Sequence, residues 1–226
     1  MREVAGKLVH DSLPEVVHPS HTAVVVVDMQ NDYCHPEGVT ATSGKDTSLL
    51  NRIIPPQARL LDAARKAGVK VIYLKNTVAP DLSTYGGGWL YSNLRNRPAG
   101  LDGLPLRRTV DGTFGHDIVQ ALTPESGEHV VKKNRPSGFM HTNLDLLLRA
   151  HRVNSIVVTG CVTEGCVLAT ARDGTFLDYY VTVVRDCVGS ANPPLHDAAL
   201  VIMAASYDMP AAAELAALWA EVPASR

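Results

Sequence analysis

The chain has 226 residues, of which 46% are hydrophobic, and its 21 basic and 23 acidic side chains give a formal net charge of −2. This length suffices for one sizeable hydrophobic core, and the absence of any basic run argues against nucleic acid as a partner. No apolar run approaches the roughly 20 residues that span a bilayer, and the N-terminal residues lack the apolar stretch of a signal peptide. We therefore expect a cytoplasmic protein with no membrane or nucleic-acid partner.

The predicted elements alternate between strands and helices. Residues 1–21 are expected to form an irregular arm. The run 22–28 is rich in β-branched residues without polar alternation, which indicates a strand buried on both faces. Similar runs follow at 69–74, 128–132, 155–159 and 180–184, and helical patterns occur at 51–67, 141–150, 165–177, 195–205 and 211–220. This order predicts one doubly wound α/β domain over residues 22–226, with an open, mostly parallel sheet of about six strands and helices on both faces.

One segment departs from this rhythm. Residues 79–115 are rich in glycine and proline, and three consecutive glycines at 86–88 precede Trp89. A long irregular stretch in a compact domain is often a lid or a binding loop. We expect the segment to lie over a site.

Reactive side chains follow three of the predicted strands. Asp28 ends the first, Lys132 and Lys133 end the third, and Cys166 follows the fourth. Taken singly, such residues are more often a turn or cap carboxylate, solvated lysines and a packed thiol. However, the carboxyl ends of parallel strands share one edge of a sheet, where ligands bind. We expect the three groups to converge there.

The convergence of these groups predicts nucleophilic catalysis. Cys166 would begin the 165–177 helix, where the helix dipole and a nearby lysine are expected to lower the pKa of its thiol. A thiolate attacks carbonyl carbon, backbone N–H groups can hold the oxyanion, and a carboxylate can deliver a proton and then activate water.

Three sequence blocks resemble the signatures of the isochorismatase-like cysteine hydrolases. They are Val27-Asp28-Met29-Gln30-Asn31-Asp32-Tyr33, Lys133-Asn134-Arg135-Pro136-Ser137-Gly138-Phe139 and Thr159-Gly160-Cys161-Val162-Thr163-Glu164-Gly165-Cys166-Val167. The resemblance implies a catalytic triad of Asp28, Lys133 and Cys166, with Lys132 as the adjacent alternative to Lys133. It also implies a cis peptide at Val162–Thr163 and an oxyanion hole formed by the N–H groups of Thr163 and Cys166.

Within that family, Cys166 argues against the branch that cleaves vinyl ethers. The stretch Lys75–Asp81 lacks the histidines of the metal-dependent nicotinamidases, so we expect neither a metal nor another cofactor. The nearest resemblance is to ureidoacrylate amidohydrolase, N-carbamoylsarcosine amidase and the biuret and triuret hydrolases. Asn76 and the Arg135 block match the ureidoacrylate type, whereas Pro136 and Val78 depart from it.

The predicted substrate is a small ureido, carbamoyl or carboxamide compound. Tyr33, Asn76, Arg135 and Trp89 are the candidate substrate contacts, although Arg135 fits a structural ion pair and Trp89 a loop anchor equally well. The pattern leaves open a maleamate-type amidase, a redox protein using Cys161 and Cys166, and a binding module. Cys34, Cys161 and Cys187 are interpreted as packing residues, and the resemblance implies a homodimer or homotetramer.

Overall fold

The computed structural model describes residues 1–94 and 105–222. The strands are β1 (Arg2–Val4), β2 (Lys7–Val9), β3 (Thr22–Val27), β4 (Lys70–Asn76), β5 (His129–Lys133), β6 (Ser155–Cys161) and β7 (Tyr180–Gly189). The helices are α1 (Leu13–Val16), α2 (Asn31–Cys34), α3 (Val39–Thr42), α4 (Ser48–Arg52), α5 (Ile54–Lys66), α6 (Gly87–Leu94), α7 (Leu144–Ala150), α8 (Leu168–Phe176), α9 (Pro193–Ala204) and α10 (Ala212–Ala220).

The main sheet is parallel and has the order β5–β4–β3–β6–β7. In the described part of the chain it contains five strands rather than about six. Only five apolar runs supported strands of this sheet, and the last of them, β7, continues through a register irregularity opposite 158–160 and runs for ten residues. The chain after residue 184 therefore extends an existing strand instead of starting another.

The central strand β3 explains why its sequence shows no polar alternation. All six of its residues are buried. Val24 and Val26 pack into the core beneath α5 and α10, while Val25 and Val27 pack into the core beneath α7, α8 and α9. A strand covered on both faces needs apolar residues at every position, and the predicted α/β class is confirmed.

The N-terminal segment is not irregular, contrary to the sequence-based expectation. Strands β1 and β2 form an antiparallel hairpin, and α1 follows. Val16 and Val17 join the buried core, and the indole N–H of Trp219 donates a 2.8 Å hydrogen bond to the carbonyl of Val17. The prediction missed this docking because a four-residue helix and two three-residue strands are too short to show periodicity.

The segment 79–115 also holds regular structure, since α6 begins within its glycine run. Residues 95–104 of that segment, and residues 223–226 of the predicted domain, lie outside the described residues.

Candidate active site

Asp28 is fixed by its backbone as much as by its side chain. Its φ is +52°, in the left-handed region that few residues other than glycine adopt. Its N–H donates to the carbonyl of Leu74 at 3.0 Å, and its carboxylate Oδ1 accepts the N–H of Asn76 at 2.9 Å. The thiol of Cys161 donates to the Asp28 carbonyl at 3.1 Å. Contacts from the ends of β4 and β6 therefore fix the position and direction of the buried Asp28 carboxylate.

The approach of β6 to β3 beside Asp28 requires glycine. Gly160 has a φ of +109°, and a Cβ at this position would lie 2.0 Å from the carbonyl oxygen of Val27. Only hydrogen fits there.

Lys133 lies entirely within the protein and pairs with Asp28. Its Nζ is 2.7 Å from Asp28 Oδ2 and 3.2 Å from the carbonyl oxygen of Arg135. Burial acts to lower the pKa of Lys133, but the carboxylate of Asp28 and the nearby Cys166 raise it above its usual value. Lys132 lies on the opposite face of β5, exposed, and pairs with Asp111 at 2.6 Å. Strand alternation thus places Lys133, and not Lys132, beside Asp28.

Cys166 is half-buried, and Asp28 and Lys133 are the two charged side chains that act on its thiol most strongly. Burial and then the Asp28 carboxylate raise the pKa of its thiol to about 12, against the opposing effect of Lys133. The expected lowering of this pKa is wrong. Cys166 lies in a widened turn, Thr163–Val167, before the regular helix α8 begins. The resting group is therefore a thiol next to a carboxylate.

The turn that carries Cys166 differs from the expectation in one bond. The cis peptide joins Cys161 to Val162, not Val162 to Thr163. It lies where β6 ends and the turn begins, one residue earlier than the sequence block suggested. The Thr163 hydroxyl is 2.8 Å from Nδ1 of His196, which anchors the turn to α9.

A cavity of about 240 Å³ opens above Cys166. Tyr33, Asn76 and Trp89, three of the four candidate substrate contacts, line it. Arg135 does not: its Nη1 donates to the carbonyls of Thr84 and Asn134, at 3.1 and 2.7 Å, and its guanidinium carbon lies 5.6 Å from the centre of the Trp89 ring. Arg135 supports the cavity wall from outside.

Arg108, which the sequence analysis missed, is among the lining residues. It belongs to the segment 79–115, whose composition predicts a binding loop but does not rank Arg108 above the neighbouring Arg107. A larger cavity of about 620 Å³ lies near His10, Arg172 and the start of β7. It contains none of the three converging groups, so the smaller cavity is the candidate active site.

Two further missed residues hold the loop over the site. Asp32 Oδ2 accepts the N–H of Thr109 at 2.6 Å, and the Gln30 amide donates to the carbonyls of Asn76 and His116 at 3.0 and 2.8 Å. Gln30 and Asp32 both belong to the first sequence block. The feature of the sequence that could have identified them is a polar side chain at every second position after Asp28.

Residues 1–94 and 105–222 lack both a metal-binding cluster and a membrane-spanning helix. They contain no group of three or more His, Cys, Asp or Glu side chains that could hold a metal ion. Among the same residues, no helix combines the length and the apolar character needed to cross a membrane.

Comparison with known proteins places this site in a family. The isochorismatase domain model matches residues 22–214. Ureidoacrylate amidohydrolase RutB of Methylorubrum extorquens is 39% identical over 181 residues, which cover 76% of this chain and 71% of that protein. RutB of Agrobacterium fabrum is 39% identical over 188 residues, covering 80% of this chain and 81% of the relative.

The solved structures agree with the sequence matches. A cysteine hydrolase from Pseudomonas syringae pv. phaseolicola superposes with a TM-score of 0.77 at 30% identity, covering 96% of this chain and 99% of that one. The chain therefore belongs to the isochorismatase-domain family.

Proposed function

We propose that this chain is a cysteine-dependent amidohydrolase that cleaves a linear C–N bond of a small ureido, carbamoyl or carboxamide compound and releases ammonia. The observation that carries the proposal is the fully buried Asp28–Lys133 pair within reach of Cys166 at the base of a cavity. Burying an ion pair is costly in free energy, and a buried pair beside a nucleophile is typical of a catalytic site.

The first half of the proposed reaction acylates Cys166. Asp28 takes the proton of the thiol as the sulfur attacks the carbonyl carbon. The backbone N–H groups of Thr163 and Cys166 are the proposed donors to the oxyanion, whose collapse breaks the C–N bond. Asp28 returns its proton to the departing nitrogen, so ammonia or an amine leaves and the substrate carbon stays bound to sulfur.

The second half restores the enzyme. Water gives a proton to Asp28 and its oxygen attacks the same carbon, after which the C–S bond breaks and the proton returns to Cys166. Lys133 pairs with Asp28 and stabilises the negative charge that passes between carboxylate and sulfur. A ureido substrate gives a thiocarbamate intermediate and a carboxamide gives a thioester.

The relatives and the cavity support a small ureido substrate. Both RutB proteins are named for a ureidoacrylate, and 240 Å³ lies below the range of roughly 300–1,000 Å³ that drug-sized ligands occupy. A redox role for Cys161 finds less support, because its buried thiol is engaged with the Asp28 carbonyl. We also propose a homodimer or homotetramer, which light scattering after gel filtration would test.

The test is ammonia release from ureidoacrylate, N-carbamoyl amino acids, biuret, triuret, maleamate and nicotinamide. Wild type is expected to release ammonia from ureido compounds, and Cys166→Ala is expected to release none. Cys187→Ala is the matched control, because this thiol is buried in the core away from the cavity lining. Release from maleamate alone would favour the carboxamide alternative, whereas equal release by wild type and Cys166→Ala would refute the role of Cys166. Tight binding of a panel compound without hydrolysis would favour a binding module.

A further inference from the structure

We propose that Arg108 forms a carboxylate-binding subsite, so that the substrate is an amide or ureido compound bearing a carboxylate. The inference rests on the proposed function for the position of the scissile bond, which Cys166 attacks. It adds a carboxylate at another part of the substrate and names Arg108 as the residue that binds it.

The guanidinium of Arg108 stacks on an aromatic ring but donates no hydrogen bond to any described residue. Its guanidinium carbon lies 5.3 Å from the centre of the Tyr33 ring, within the range of a cation–π contact. Its Nε is buried and has no hydrogen-bond partner. Within residues 1–94 and 105–222 no carboxylate forms an ion pair with it. A buried donor without a partner is costly in free energy, and a bound carboxylate would remove that cost.

The backbone next to Arg108 is held rigidly. The following residue, Thr109, donates its N–H to Asp32 and accepts the N–H of Val78 at 3.0 Å through its carbonyl. Its hydroxyl accepts the side-chain amide of Asn76 at 2.8 Å. Asp32 and Thr109 are both buried. The guanidinium is therefore attached to fixed backbone, which reduces the entropy lost on binding a ligand.

The charge balance of the cavity favours an anion. No aspartate or glutamate occurs among its described lining residues, and the charge of Asp28 beneath it is matched by Lys133. Burial raises the pKa of Tyr33 well above its usual value, so its hydroxyl stays protonated and available as a donor. A ligand small enough for this cavity that reaches Cys166 also lies near Arg108.

Arg135, the arginine chosen from the sequence, cannot take this role in the observed arrangement. Its guanidinium donates to two backbone carbonyls and stacks on Trp89 outside the lining. Its side chain supports the cavity wall instead. The role of substrate-contacting arginine therefore moves from Arg135 to Arg108.

The test measures binding without catalysis. In a Cys166→Ala background, calorimetry compares N-carbamoylglycine, N-carbamoyl-β-alanine and maleamate with their methyl esters. We expect at least one acid to bind about 10- to 100-fold more tightly than its ester, since bidentate charge-assisted hydrogen bonds have about this effect. Adding Arg108→Gln should abolish the difference. Adding Arg107→Gln should leave it intact, because Arg107 is exposed and outside the lining.

The outcomes separate this inference from the proposed function. Equal binding of acid and ester, a preference that survives Arg108→Gln, or no binding of any acid would overturn the subsite. An acid preference that depends on Arg108 would establish the subsite even if Cys166→Ala still hydrolysed amides, a result that would refute only the role of Cys166. Unchanged thermal midpoints of the two arginine variants would show that the fold is intact.

Discussion

Replacing Lys133 by Met removes the positive charge of a fully buried pair while keeping a long unbranched side chain. The carboxylate of Asp28 is then left with no opposite charge at 0% exposure. Lys132→Met is the matched control. It lies next to Lys133 on β5, but its side chain is 56% exposed and its partner Asp111 is 38% exposed.

The expected cost follows from burial. Breaking a buried ion pair from one side typically destabilises a protein by about 3–5 kcal/mol, whereas an exposed pair contributes about 0–1 kcal/mol. For a domain of this size, 1 kcal/mol corresponds to roughly 2–4 °C in Tm. We therefore expect Lys133→Met to lower Tm by roughly 6–20 °C, and Lys132→Met by no more than about 4 °C.

The raised pKa of Lys133 gives this prediction a pH dependence. Because the folded state holds the lysine proton more tightly than the unfolded state, the stabilisation by the pair is fully present below the usual lysine pKa of about 10.5 and is lost at higher pH. The deficit of Lys133→Met relative to wild type should therefore be larger at about pH 8 than at about pH 11.

The assay is urea unfolding at both pH values, together with ammonia release. A double variant, Lys133→Met with Asp28→Asn, removes both charges and should regain part of the lost stability. Its activity should stay at least about 100-fold below wild type, because the proposed general base is absent. Equal destabilisation by Lys132→Met and Lys133→Met, or an active double variant, would refute the reasoning.

Three further predictions follow from single residues. Alkylation of Cys166 by iodoacetamide should accelerate steadily from about pH 6 to 10, because burial raises the pKa of its thiol to about 12; a plateau below about pH 8 would indicate a preformed thiolate. Burial lowers the pKa of His116 from 6.5 to about 4. As pH falls through that window, the free energy of unfolding of the wild type should drop by about 3 kcal/mol because of this group. In urea unfolding, His116→Gln should show a measurably smaller drop. Gly160→Ala should prevent folding or lower Tm strongly, because its Cβ would lie 2.0 Å from the carbonyl oxygen of Val27. Gly44 also has a positive φ but faces open space, so Gly44→Ala should lower the free energy of unfolding by only about 1–2 kcal/mol, measured by urea unfolding.

The sequence was most informative where one physical requirement dominates. The run 22–27 must be apolar at every position because helices cover both faces of β3. The amino-acid sequence shows this requirement directly as an absence of polar alternation. The convergence of Asp28, Lys133 and Cys166 followed from the parallel sheet, since the carboxyl ends of all its strands lie at one edge. Strand alternation then decides between Lys132 and Lys133, as the structure shows.

The sequence was less informative where burial and loop geometry decide. The pKa of Cys166 was expected to fall on the basis of charge and helix position, but burial and the facing carboxylate outweigh Lys133. The amino-acid sequence alone does not show which of Arg107 and Arg108 faces the cavity. Only the path of the loop, fixed by Asp32 and Thr109, places one in the cavity and the other outside.

The central claim is that the substrate carbon becomes covalently bound to Cys166 during turnover. The most direct test is intact-protein mass spectrometry after rapid acid quench of wild type mixed with a compound that it hydrolyses. We expect a transient adduct that maps to the peptide containing Cys166 and decays at the rate of turnover. A bare carbamoyl group would show that the amine leaves first, and a larger adduct that follows the substrate would show that ammonia leaves first. Full turnover with no adduct on Cys166, or undiminished turnover by Cys166→Ala, would contradict the account.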